Sequence, residues 1–201
     1  MPGIVAPANE VIDEKTRARE TEPPPRVWRV VPTAQRPRGP AWVVGKLTHE
    51  ALRRWRFPDR ADFEVFLHPH ALAAGLVDPR EINATVSEVR RLLERFRAHE
   101  LYVEMDAVER FHEVPYTFQR NGRGETGVID VLYQVGGEWQ IVDFKTDEIR
   151  DEARLSGKVS EYREQVARYE DAVRALVHAP ARARLCFLDV RGTVRVAAGN
   201  W

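Results

Sequence analysis

Cysteine is nearly absent from this chain, with Cys186 alone among 201 residues. One thiol makes no intramolecular disulfide, no cysteine-based zinc site and no four-cysteine iron–sulfur cluster. Charge of one sign is missing too: Lys+Arg and Asp+Glu number 31 each, so bulk charge announces no polyanionic partner. Any contact with nucleic acid has to come from local patches. No apolar run approaches a membrane span, and the N-terminus has no signal-like apolar segment, so a cytoplasmic protein with no membrane partner is expected. A G-x-x-x-x-G-K-[ST] loop is lacking as well, which excludes a motor driven through that loop in this chain.

What is present is unevenly distributed. Pro23-Pro24-Pro25, Pro32, Pro37 and Pro40 lie among charged residues, and only Val27 to Val31 has strand composition there. Residues 1–40 are therefore expected to be a Pro-rich, charged linker or arm, and 41–201 one folded domain. Leu47, Ala51, Leu52 and Trp55 mark a helical stripe over Gly45–Trp55, with His49 near its start. Asp78-Pro79-Arg80-Glu81 reads as a helix start with proline in first position. The apolar residues Ile82, Val86, Val89, Leu93 and Phe96 then keep helical spacing. Strand composition follows at Tyr102–Val103, Glu113–Gln119, Val128–Gln134 and Gln140–Thr146. Tyr162, Val166, Tyr169, Val173 and Leu176 form a helical stripe within 159–177, and strands are expected again at 184–190 and 193–197. Helices, a meander, a helix and closing strands predict a mixed sheet flanked by helices, an α/β or α+β layered domain. Gly122 to Gly127 matches G-x-G-x-x-G but opens no helix, so a hairpin turn is expected and no nucleotide cofactor.

The most informative stretch runs from Val128 to Lys145. Two apolar strands flank Gly136-Gly137, the signature of a hairpin with a two-residue turn. Such a turn pairs Val135 with Glu138 and, six residues from that turn on each side, sets Asp130 opposite Asp143. Opposed residues have Cβ atoms about 4.5–5.5 Å apart, and two carboxylates there repel by about 3 kcal/mol at an effective dielectric near 20. A shared proton or a bridging cation must offset that. Strand alternation returns Lys145 to the face of Asp143 and turns Phe144 away.

These residues resemble a known family. Gly127-Val-Ile-Asp130, Ile141-Val-Asp-Phe-Lys-Thr146, Tyr162-Arg-Glu-Gln165 with Tyr169, Gly45-Lys-Leu-Thr-His49 and Glu113-Val-Pro115 together resemble the RecB/AddA-type nuclease domain of the PD-(D/E)XK superfamily, found at the C-terminus of helicase–nucleases. The resemblance implies a restriction-endonuclease-like fold and metal-dependent cleavage of DNA with Mg²⁺ or Mn²⁺. It implies DNA as partner, as single strands or ends, with a helicase domain or subunit alongside. Asp130, Asp143, His49 and the carbonyl of Phe144 would be metal ligands, and Lys145 would orient or activate water. Glu113, Tyr162, Gln165 and Tyr169 would support the site or contact DNA. Ile129 stands where the family name puts proline. A catalytically silent DNA-binding scaffold of a helicase complex is the alternative, and a phosphohydrolase of small molecules a third reading.

Overall fold

The computed structural model describes residues 39–120 and 122–199; the expected arm, with its Val27–Val31 strand, falls outside them except for its last two residues. Four helices come first: α1 (Ala41–Arg53), α2 (Phe63–Ala73), α3 (Pro79–Arg97) and α4 (Glu100–Asp106). Then follow β1 (Arg110–Arg120), β2 (Arg123–Val135), β3 (Glu138–Ile149), α5 (Glu152–Val177), β4 (Ala181–Val190) and β5 (Thr193–Ala198). The strands form one mixed sheet in the order β1-β2-β3-β4-β5. Neighbours are antiparallel except β3 and β4, which run parallel because α5 carries the chain back across the sheet.

Two apolar cores lie on opposite faces of this sheet. On one, residues of α1 to α4 pack with Val131, Tyr133, Val142, Phe144, Cys186 and Leu188. On the other, Val166, Tyr169, Ala172 and Val173 of α5 pack with Leu132, Ile141, Leu185 and Phe187. The predicted stripe of α3 is buried throughout. Its start is fixed by the Asp78 carboxylate, which accepts from the Arg80 N–H at 2.8 Å, with Pro79 in first position. Phe96 is fully buried and meets Phe144 edge-on at 5.1 Å; truncating it to alanine is expected to cost about 3–5 kcal/mol.

The sequence expectations need correcting at several points, among them the Gly122–Gly127 segment, which from Arg123 onward is strand β2 paired with β1 and not a turn. Tyr102–Val103 is helical within α4: the His99 ring accepts the Leu101 N–H, and Tyr102 stacks on Trp55 at 5.5 Å, so capping and packing outweigh a strand-forming pair. Helix α5 begins well before residue 159, because Asp151 caps it by accepting the Arg154 N–H. Leu176 drops out of the expected stripe and is exposed. Helix α2, which buries Phe63, Leu67 and Ala71, had no sequence expectation at all.

Candidate active site

The hairpin register is the one the Gly-Gly turn requires. Gly136 and Gly137 both have positive φ, +60° and +85°, which two-residue turns of this type need. Pairing runs from Val135↔Glu138 to Val131↔Val142 and stops one step short of Asp130 and Asp143. At that point the Asp130 side chain takes over, its Oδ2 accepting the Phe144 N–H at 2.8 Å. On the other side of β2, the ladder with β1 passes from His112↔Val131 to Val114↔Ile129 and skips Glu113 and Asp130. Glu113 has φ +51°, a left-handed conformation that costs a non-glycine residue on the order of 1–3 kcal/mol. Both strands turn over there. Val131 and Tyr133 face the core of α1 to α4, whereas Ile129, Tyr116 and Phe118 face that of α5. Glu113, Asp130 and Asp143 therefore occupy consecutive strands at the point where β2 parts from β3.

Helix α1 brings a histidine to this break. Gly45 permits the approach: a Cβ there would lie 3.0 Å from the Thr146 hydroxyl of β3, tighter than a side chain accepts without displacement. One turn further along α1, His49 Nδ1 lies 3.6 Å from Asp130 Oδ2. His49, Glu113 and Asp130 each offer a ligand atom, and these atoms lie within 4.8 Å of one another. Burial lowers the His49 pKa, against the pull of the Asp143 and Glu113 charges, so the ring is neutral and able to act as a ligand. Burial, followed by the charge of Asp143, pushes Asp130 up to about 8. Burial also raises Asp143, with Lys145 pulling the other way.

Lys145 completes the cluster on the α5 side. Its ammonium lies 2.8 Å from Asp143 Oδ2, donates to Gln165 Oε1 at 3.0 Å and sits 3.9 Å above the Tyr162 ring. Gln165 is oriented in turn, donating to the Tyr169 hydroxyl at 2.6 Å. A long flexible side chain is thus held by a charge, an amide and an aromatic face.

All the expected site residues gather here, with one difference in grouping. Asp143 directs an oxygen to Lys145, while Glu113, expected only in support, joins His49 and Asp130. The Phe144 ring is buried beneath the site, and its backbone serves both Asp130 and His49. Two further residues had not been singled out. Asp147 accepts the Tyr162 hydroxyl at 3.3 Å and pairs with Lys158 at 3.3 Å. Asp147 continues the Asp143, Lys145 alternation on β3, and Lys158 lies four residues before Tyr162 on α5, so strand and helix periodicity would have found both.

The donor set suits a hard divalent cation: oxygens from Glu113 and from Asp130 and Asp143, whose ionisation burial holds back, plus a neutral imidazole. Asp143 Oδ2 is buried and, beyond its ion pair with Lys145, has no hydrogen-bond partner among the described residues. A cation would satisfy it.

Residues 10–199 match the model of the PD-(D/E)XK nuclease superfamily, and the chain belongs to that superfamily, whose nucleases use divalent metals. A crystal structure of a candidate exonuclease from Eubacterium rectale is similar in fold, with a TM-score of 0.52 at 15% identity over 78% of this chain and 59% of that one. The chain thus spans about three-fifths of that protein's length. Protein VC1899 from Vibrio cholerae, 16% identical over 75% of this chain and 42% of its own, has a TM-score of 0.32, too low to argue from. No curated protein matches the chain. Among the described residues no helix is long and apolar enough to cross a membrane.

Proposed function

We propose that this chain is a metal-dependent deoxyribonuclease that cleaves phosphodiester bonds in DNA single strands or at DNA ends with Mg²⁺ or Mn²⁺. The observation that carries the reading is the row Glu113, Asp130 and Asp143 at the break between strands, under-neutralised and adjoining a restrained ammonium. His49, Asp130 and Asp143, with the carbonyl of Phe144, are the proposed metal ligands, and Glu113 joins them or accepts a proton from the attacking water. A divalent cation bound there supplies positive charge to the phosphoryl oxygens and acidifies water.

The remaining chemistry belongs to the chain's own groups. Lys145 counters negative charge that builds on the phosphoryl oxygens, an interaction strengthened by its burial and by the absence of any reorganisation when the charge appears. Asp143, Gln165 and Tyr162 fix that ammonium, and Tyr169 holds Gln165 through its hydroxyl. Neutral His49 leaves its ring nitrogen free to bind. Coupling to a helicase in recombination or repair rests on the resemblance to helicase-associated nuclease domains; this chain itself departs from them in lacking a P-loop.

The test is incubation with linear and circular DNA, single- and double-stranded, in Mg²⁺, Mn²⁺ or EDTA, with mononucleotides in parallel. Cleavage of polymeric DNA that EDTA abolishes is expected. Binding without cleavage would favour the silent scaffold, and hydrolysis of mononucleotides alone would favour a small-molecule phosphohydrolase.

A further inference from the structure

Beside the catalytic cluster lies a second, open groove of about 350 Å³, between the β1–β2 hairpin and α5. Tyr116, Glu125 and Gly127 line one wall, and Gln165, Arg168 and Tyr169 the other. The two regions share two residues, since the Gln165 that lines the groove also holds Lys145 and Tyr169 beside it orients Gln165. Arg168 is one helical turn from Gln165 along α5, about 4.5 Å of rise, and its side chain is 39% exposed. Its one ion pair among the described residues is to Glu125 Oε2 at 3.9 Å. That carboxylate oxygen is itself buried without a hydrogen bond. Arg168 also faces the Tyr116 hydroxyl, whose pKa burial raises while the guanidinium's charge and hydrogen bond pull it down. The Tyr116 ring is pinned over Gly127, where any Cβ would meet its hydroxyl at 2.5 Å. A guanidinium loosely paired, beside two tyrosine hydroxyls and an amide, matches the forked geometry of a phosphate.

We propose that this groove holds the phosphate adjoining the one that is cut, with Arg168 as its ligand, so that the substrate strand leaves the active site along α5 through the Tyr116–Arg168 gap. This rests on the nuclease reading. Arg168 is a positioning residue: it sets where a polymeric substrate lies, while Glu125 tethers the guanidinium and competes with the phosphate for it.

Binding to a single-stranded oligonucleotide in EDTA, measured over a range of salt, tests this without turnover. Removing one phosphate contact should lessen the slope of log K against log[salt] by about 0.7. Arg168→Ala is expected to show that change, Arg168→Lys to recover part of the affinity, and Glu125→Gln to bind several-fold more tightly. With Mn²⁺, Arg168→Ala should raise KM for oligonucleotides several-fold, and by a much smaller factor for bis(p-nitrophenyl) phosphate, which has no neighbouring phosphate. Arg182→Ala, at an exposed arginine outside the groove, serves as control. An unchanged slope in Arg168→Ala, an equal loss in Arg182→Ala, or weaker binding in Glu125→Gln would overturn the assignment. If wild-type protein cleaves neither substrate, the nuclease reading fails instead, and the slopes still decide whether Arg168 binds phosphate.

Discussion

Two sets of acids are buried against the sheet, and their surroundings differ. Glu170 on α5 accepts the Ala183 N–H at 2.7 Å and an Arg174 N–H at 2.7 Å, while Arg174 also donates to the Ala181 carbonyl. Its charge is answered by its neighbours, and the result ties α5 to the start of β4. Asp130 and Asp143 are answered less fully: one backbone N–H for the first, one ammonium for the second, and each other's charge nearby. A buried carboxylate that is fully paired stabilises a fold. A pair left short of positive charge stabilises it poorly and is built to take up a cation.

Breaking each set should therefore cost different things. The largest effect is expected from Asp130→Asn or Asp143→Asn, each lowering metal-dependent cleavage by on the order of 10³-fold, the equivalent of about 4 kcal/mol of barrier. In chelator, Asp130→Asn should melt no lower than wild type, since the amide oxygen still accepts the Phe144 N–H and no buried charge can form beside Asp143 as pH rises. Lys145→Ala should lower kcat by about 10²-fold or more with little change in KM, as for a group that acts on transition-state charge; parallel loss of DNA affinity would make it a plain phosphate anchor. Lys145→Arg should not restore the rate, because a planar fork cannot replace a compact ammonium between Asp143 and Gln165.

Glu170→Ala should do the reverse, removing about 2 kcal/mol of stability, or roughly 4–8 °C in Tm, while activity per folded molecule stays at the wild-type value. A separate effect concerns pH. The folded pKa of Asp130 lies above its unfolded value, so the contribution is fully present below pH 4 and is lost as pH rises through about 8. Melts in chelator should decline across that window and decline less in Asp130→Asn. Stabilisation by Mn²⁺ should grow with pH over the same range, because binding displaces a proton.

The hairpin was legible in the sequence because Gly136-Gly137 fixes a register, and a register fixes which residues meet. Lys145 followed from alternation along one strand. The role of Glu113 was not legible that way: its left-handed backbone reverses the facing of β1, and no periodicity carries through such a break. His49 depends on Gly45 letting α1 close onto Thr146, a contact between residues far apart in sequence. Helix α4 was misread because Tyr102 and Val103 favour strands locally, whereas the His99 cap and the stack on Trp55 are tertiary facts. Arg168 was not singled out in the sequence, because its groove exists only once the β1–β2 hairpin supplies the opposite wall.

The break between β2 and β3 is proposed as a divalent-cation site made by these acids. Titration calorimetry of Mn²⁺ into the wild-type protein, Asp130→Asn and Asp143→Asn at pH 8 tests this most directly. Saturable binding that both variants lose or weaken at least tenfold is the predicted result. Equal binding in all three proteins, or none in the wild type, would contradict it.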